Sequence, residues 1–280
     1  MIDLHSHTNE SDGTDSPAEL IEKAHAVGLR ALAITDHDTF AGSLAADARA
    51  GEIGIELVRG IELSTKLDGL NVHMLAYFLS DGAPVDIAEW VGSMVARRRE
   101  RNVVLARRLQ GLGLKVELAD AEALGRTITG RVHFARVLVA AGYVRSVQQA
   151  FDRYLGEEAP GYVAMDDPPV REAIDRVRNA GGVIVVAHPG RLRVRDLHHE
   201  ERVLRQMVDE GMNGIEVIHS EHSIDDALRF ERFAKRWNLA RTGGSDYHGT
   251  VKPGIRLGEG YGNVRVPDAW LAALREAARK

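Results

Sequence analysis

Two short stretches near the start, Ile2-Asp-Leu-His5-Ser-His7 and Ala31-Leu-Ala-Ile-Thr-Asp36-His37, decide the fold. Each is an apolar run that finishes in side chains able to hold a cation. Between them, Ser16-Pro-Ala-Glu19 reads as a helix start, with Ser16 as N-cap, Pro17 at the first helical position and Glu19 closing a capping box. Leu20, Ile21, Ala24 and Val27 then recur at helical spacing, and Gly28 ends the element. Strand, helix, strand in this order is a βαβ unit. Its chemistry lies at the C-terminal ends of the strands, where open sheets and barrels keep their sites.

The same pattern repeats outward from this unit. Ile55 to Ile61 runs into Glu62, and Asn71 to Leu79 carries His73. Val183 to Ala187 delivers His188, Gly214 to Ile218 delivers His219, and Leu239 to Gly244 leads to Asp246 and His248. Helical patterns lie at 39–50, 168–180, 200–210, 223–238 and 267–279. An α/β chain of this kind closes most simply as a (β/α) barrel, with fewer than eight regular strands allowed. Residues 86–165 break the alternation. They read as a long helix over 86–112, with Arg97, Arg98, Arg99 and Arg101 in its middle, then shorter helices near 120–125, 131–141 and 146–155. The expected organisation is a barrel domain, 1–85 and 166–280, interrupted by a helical insertion domain, 86–165, that caps the active site.

The 280 residues are enough for a full core, and 44% hydrophobic with 28% charged residues is ordinary for a globular chain. Lys+Arg 36 against Asp+Glu 41 gives a net charge of −5, so no whole-protein positive field attracts a polyanion. Any nucleotide must be held locally, with bound cations supplying positive charge. The absence of cysteine removes disulfides and thiolate zinc sites and fits a reducing compartment. The N-terminus has no basic region followed by a long apolar stretch, and no segment approaches the roughly 18 apolar residues of a membrane span. The expectation is a cytoplasmic protein with no membrane association and no stable protein partner.

Imidazole and carboxylate are the ligand types of catalytic Mn²⁺, Fe²⁺ and Zn²⁺ sites. His5 and His7, two apart on a strand, share a face, and Asp246 with His248 repeats the spacing. A lone H-x-H is weak, but six of the twelve histidines fall at these strand-end positions, and helices or loops would take most of a random set. The metal candidates are therefore His5, His7, Asp12, His37, Glu62, His73, His188, Asp246 and His248. Asp36 reads as a support that accepts an imidazole N–H. His219 is a reserve ligand. His25, His198 and His199 sit in polar or helical settings and read as surface residues.

His5-x-His7, Asp36-His37, Gly60-Ile-Glu62, Ala187-His188-Pro189 and Gly244-Ser-Asp246-Tyr-His248 together resemble the motif regions of the PHP (polymerase and histidinol phosphatase) superfamily. The resemblance covers residue 2 to about 255, apart from the insertion. It implies a distorted (β/α)7 TIM-like barrel with three divalent metal ions, usually Mn²⁺, Fe²⁺ or Zn²⁺. By position it would give His5, His7, Glu62 and Asp246 to the first ion. Asp12, His37 and His248 would hold the second, and Glu62, bridging, would join His73 and His188 on the third. The insertion and the Ser11-Asp12-Gly13 turn resemble a narrower bacterial group that hydrolyses 3′,5′-nucleoside bisphosphates and degrades short RNA from its 5′ end. Histidinol-phosphate-type phosphatases share the ligands and are the enzyme alternative; a non-catalytic, metal-stabilised scaffold is the other.

The chemistry expected is phosphate ester hydrolysis by water activated between cations, with His5, His7, Asp12, His37, Asp246 and His248 acting through the ions. No cysteine and no Gly-x-Ser-x-Gly elbow offers a covalent route. A nucleotide or short oligoribonucleotide would be read by Arg99 with Asn102, by Arg131, His133 and Phe134 in the insertion, and by Arg191 beside His188. His133 could instead cap a helix. The insertion is expected to read the 5′-phosphate.

Overall fold

A computed structural model describes residues 1–79 and 85–279 of the chain. Among these residues seven strands form one sheet in sequence order: β1 (Ile2–Asp3), β2 (Ala31–Ile34), β3 (Glu56–Leu67), β4 (Leu70–Phe78), β5 (Val183–Val186), β6 (Gly214–His219) and β7 (Ala240–Gly244). The sheet curls into a nearly closed barrel. Its seam is bridged by Leu4 N–H to Gly243 O (3.1 Å), Asp246 N–H to His5 O (2.9 Å) and His7 N–H to Tyr247 O (2.9 Å). These bonds hold the His5 and Asp246 segments side by side, so the expected strand over 2–7 survives as a two-residue strand with an extended continuation.

The barrel is distorted at β4. It pairs antiparallel with both β3 and β5, whereas the other neighbours are parallel. The cause is local: Asp68 (φ 48°) and Gly69 (φ 85°) make a two-residue turn with both φ positive, the geometry that joins hairpin strands. β3 therefore continues five residues past Glu62 to Leu67, beyond the end expected from the apolar run. Reversal of β4 also puts His73 near the start of its strand, opposite Ser64, yet at the same barrel end as the other ligands.

Helices cover the outside of the barrel: α1 (Pro17–Ala26), α2 (Ala41–Ile53), α7 (Val170–Asn179), α8 (Leu197–Asp209), α9 (Ile224–Arg236) and α10 (Ala269–Ala277). α1 starts with the reciprocal Ser16–Glu19 capping box and Pro17 at its first turn. Between β4 and α7 come α3 (Val85–Gly111), α4 (Leu118–Glu122), α5 (Arg131–Ala140) and α6 (Val147–Ala150), the last running into a π-helical turn, Phe151–Leu155. This segment has its own apolar cluster around Leu105, Leu109, Phe134, Leu138 and Leu155. α3 belongs to both bodies. Ile87, Trp90, Val91 and Met94 pack into the barrel core, and only the later half of the helix joins the second cluster.

Candidate metal centre

The loops after β1, β2, β5 and β7, with β3 and β4, bring all nine candidate ligands to one end of the barrel. Glu62 stands at the centre, 1% exposed. Its Oε2 lies 3.2 Å from His5 Nε2, 3.1 Å from His7 Nε2 and 3.4 Å from His37 Nδ1. Its Oε1 lies 2.8 Å from His73 Nδ1 and 2.9 Å from His188 Nε2. One carboxylate thus faces two groups of imidazoles. Asp246 Oδ1 approaches His7 Nε2 (3.3 Å) and His5 Nε2 (3.5 Å), and Asp12 Oδ1 approaches His248 Nε2 (3.2 Å). Four sets lie within a single ion's reach among the described residues: His5, His7, Glu62, Asp246; His7, Asp12, His37, His248; His37, Glu62, His73; and His5, Glu216, His219.

The donor set fits divalent cations. His7 Nε2 and His37 Nδ1 are buried and make no well-aligned hydrogen bond, although carboxylate oxygens stand 3.1 to 3.4 Å from them, the convergence of donor atoms that an ion would satisfy. Burial alone would raise the Asp246 carboxyl, but Lys252, His248, His5 and Arg191 outweigh it and hold the group well below the usual range. Glu62 and Asp12 are likewise held down against burial by the surrounding imidazoles. Burial pushes His37 down to about 4 and His188 to about 3, which keeps both rings neutral. Ionised carboxylates and neutral imidazoles are the states that ligate metal. His5 and His7 differ, because the carboxylates around them overcome burial and raise both, His7 to about 9, so these two rings must lose a proton when an ion binds. The backbone is strained where it aims them: His188 (φ 29°) and Asp246 (φ 54°) adopt positive φ, as does Asp38 (φ 49°) beside His37.

The supporting groups differ in part from those expected. Asp36 does not accept an imidazole N–H. Its carboxylate takes Thr8 N–H (2.7 Å), Thr8 Oγ1–H (2.7 Å) and Ser11 Oγ–H (2.6 Å), pinning the loop that carries Asp12. The residue that takes the imidazole N–H is Glu216 on β6, 3.0 Å from His5 Nδ1. It was missed, although a lone carboxylate inside a buried strand is its own signal. His219 completes a further buried group with His5 and Glu216, its Nε2 3.3 Å from Asp246 Oδ2.

The expected substrate residues fare unevenly. Seven of the candidate ligands, with Arg131 and Arg191, line one cavity of about 1170 Å³ between the barrel end and the helical segment. Arg191 is already engaged: its fork meets Glu221 (Nε–Oε2 2.6 Å, Nη2–Oε1 2.5 Å), and Nη1 is 3.2 Å from Asp246 Oδ2. Arg99 points away from the cavity, 67% exposed and paired with Glu122 at 2.9 Å. Phe134 is fully buried in the helical cluster and offers no face for stacking. His133 Nδ1 accepts Gly130 N–H (2.9 Å), the capping alternative, and Asn102 Nδ2 donates to Thr129 O (2.7 Å). Rings that do line the cavity are Phe151 and Tyr162, with Arg98 and Arg101 among the cations.

A seven-stranded barrel with this cluster at one end, taken with the family match and the relatives that follow, makes the chain a metal-dependent phosphoric ester hydrolase. The PHP domain family matches residues 3–156, and the chain belongs to that family. It is 34% identical to a 3′,5′-nucleoside bisphosphate phosphatase of Chromobacterium violaceum, over 92% of this chain and 90% of that one. It is also 34% identical to a 5′-3′ exoribonuclease of Haemophilus influenzae, covering 88% and 89% of the two chains. A phosphoribosyl 1,2-cyclic phosphate 1,2-diphosphodiesterase of Eggerthella lenta is 35% identical, with 88% and 94% covered. Among solved structures, a Bifidobacterium adolescentis protein assigned to the metal-dependent phosphoesterases superposes with a TM-score of 0.88 at 34% identity, covering 99% and 96%. No described helix is long and apolar enough to cross a membrane.

Proposed function

We propose that this chain removes the 3′-phosphate from 3′,5′-nucleoside bisphosphates, as in adenosine 3′,5′-bisphosphate to 5′-AMP, and also trims short 5′-phosphorylated RNA from its 5′ end. The observation that carries this reading is the single cavity with a carboxylate–imidazole cluster on one wall and cationic and aromatic side chains of the helical segment on the other. Such a cavity suits a ligand with two anionic groups on one sugar and a flat base to the side. The two relatives named for bisphosphate hydrolysis and for 5′-3′ RNA degradation add support.

In this reading His5, His7, Glu62 and Asp246 hold a first ion, Asp12, His37 and His248 a second, and Glu62, His73 and His188 a third, with Mn²⁺ favoured over Fe²⁺ or Zn²⁺. Ions held there would supply an activated water and positive charge for the phosphoryl oxygens. The protein's own part is orientation. Glu216 takes the Nδ1 proton of His5, and Asp246 O takes that of His248 (2.8 Å), so each ring presents Nε2 inward. Lys252 (Nζ–Oδ2 2.7 Å) holds the outer oxygen of Asp246 and leaves Oδ1 toward the cluster. The helical wall then grips the 5′-phosphate.

The relative from Eggerthella lenta, matched over as much of its length, favours a second reading, hydrolysis of a ribose 1,2-cyclic phosphate. The test is turnover by Mn²⁺-loaded protein, read as phosphate release from adenosine 3′,5′-bisphosphate and from histidinol phosphate and as ring opening of the cyclic phosphate, in parallel. Rapid release that leaves 5′-AMP and stops with a chelator is expected. Preference for either of the other substrates would replace this reading.

A further inference from the structure

Cleaving the first linkage of an RNA breaks the same P–O3′ bond as removing a 3′-phosphate: water gives a hydroxyl to phosphorus and a proton to the 3′-oxygen. The two substrates differ in what the phosphate carries. In RNA its other ester oxygen bears the rest of the chain, which has to leave the cavity past its rim. One carboxylate closes part of that rim. Glu157, in the loop after the π-helical turn, accepts Asn71 Nδ2–H on Oε1 (2.5 Å) and Arg193 Nη1–H on Oε2 (3.0 Å). Asn71 stands at the start of β4 and Arg193 in the loop that carries His188, and all three residues line the cavity. Among the described residues neither Asn71 nor Arg193 has another side-chain hydrogen bond. The group is open to solvent, with Arg193 69% and Glu157 32% exposed.

We infer that Asn71 and Arg193 form a subsite for the phosphodiester beyond the cleaved one, and that Glu157 occupies this subsite until RNA displaces it. The inference rests on the RNA-trimming part of the reading above and names what would separate an oligonucleotide from a mononucleotide. A guanidinium and an amide that converge on the two oxygens of a carboxylate also suit the two free oxygens of a phosphodiester. An exposed ion pair is a weak plug, worth about fivefold at most. Residues 156–168 form neither helix nor strand, so Glu157 can swing out without breaking a ladder. Asp152 and Glu158 line the helical side of the cavity and repel a polyanion, which keeps the chain against the loop of Arg193. The alternative is a structural strap, in which Asn71, Glu157 and Arg193 only tie the two bodies together.

The two partners of one ion pair decide between these, because a plug and a strap give opposite patterns. The probe is a 5′-phosphorylated tetraribonucleotide with a 3′-fluorescein, its first linkage a methylenephosphonate in which a P–C bond replaces P–O3′ and resists cleavage. Its binding to Mn²⁺-loaded wild type, Arg193→Met and Glu157→Gln is read by anisotropy, with 5′-AMP binding measured alongside by calorimetry. Arg193→Met should weaken the tetranucleotide about three- to fivefold and lower the slope of its salt dependence by about 0.7, one phosphate contact. Glu157→Gln should tighten it about twofold or more, since the plug loses its charge. Neither should move 5′-AMP. A strap predicts that both variants weaken the tetranucleotide together, and that result overturns the inference, as does an equal loss for 5′-AMP in Arg193→Met or no change in either variant. Opposite responses in a protein that cleaves no RNA would leave the subsite standing and remove the trimming activity. Parallel responses in one that does cleave RNA would do the reverse.

Discussion

Glu216 stands behind His5 and ties it to His188: Oε1 accepts His5 Nδ1–H at 3.0 Å, and Oε2 accepts the His188 backbone N–H at 2.6 Å. Both contacts are fully buried, and His5 drives the Glu216 carboxyl down to about 2 against the upward push of burial. One carboxylate therefore fixes the ring tautomer of one candidate ligand and anchors the strained backbone of a second.

Glu216→Gln should weaken metal retention by about 10–100-fold, the usual cost of losing a group behind a ligand. The amide can still accept from His5, but its NH₂ then meets the His188 N–H. Chelator competition on the metal-loaded protein reads this directly. Retention equal to wild type would show that His5 needs no such support.

Arg98 reaches from α3 to the metal end of the barrel, where it pairs with Asp38 and donates to Ser64 Oγ at 3.0 Å. Asp38 follows the candidate ligand His37 and accepts Ser64 N–H at 2.8 Å, so the clamp joins helical segment, β2 loop and β3. Asp38 is fully buried and the Arg98 side chain is 12% exposed, so removing one partner strands a charge. Arg98→Met should cost about 3–5 kcal/mol in denaturant unfolding. A loss below about 1 kcal/mol would mean the pair is solvated in solution.

Gly42, at the start of α2, lies against the Asp36 carboxylate. A Cβ there would stand 1.9 Å from Asp36 Oδ2 and 2.7 Å from Thr8 Oγ1. Gly42→Ala should therefore push Asp36 off Thr8 and Ser11, lose about 1–3 kcal/mol of stability and loosen the Asp12 loop. Unchanged stability and metal content would show that α2 can shift at no cost.

The clustering of the candidate ligands was legible because most of them follow an apolar run, Asp12 and His73 excepted, and the α1 boundaries because a capping box is local. The reversal of β4 was not read, although Asp68-Gly69 between two apolar runs is the two-residue hairpin signal. Arg99 and Phe134 failed for one reason, helical phase. Leu105 and Leu109 face inward, and counting back from them puts Arg98, Arg101 and Asn102 on the inner stripe and Arg99 outside. Phe134 shares its face with Leu138, four residues on, and so belongs to the core. What spacing could not supply was pairing: whether Arg191 is free or held depends on Glu221, 30 residues away and brought near only by the barrel.

That pair sets the last prediction, a pH dependence. The two-pronged contact from Arg191 holds the Glu221 carboxyl at about 2 against a reference of 4.5, with partial burial opposing. A carboxyl depressed by folding adds stability that is complete above the unfolded pKa and disappears as pH falls through the folded one. Glu221→Gln should therefore melt below wild type at pH 7, and the gap should narrow between about pH 4.5 and pH 2. Glu221 is 40% exposed, so solvent keeps the difference small. In the same variant Arg191, 3.2 Å from Asp246 Oδ2, loses its competing partner and turns wholly toward the cluster. Paired melting curves from pH 7 to pH 3 are sufficient. A gap that stays constant over that range would show that the carboxylate charge of Glu221 contributes nothing and that Arg191 is positioned by Asp246 alone.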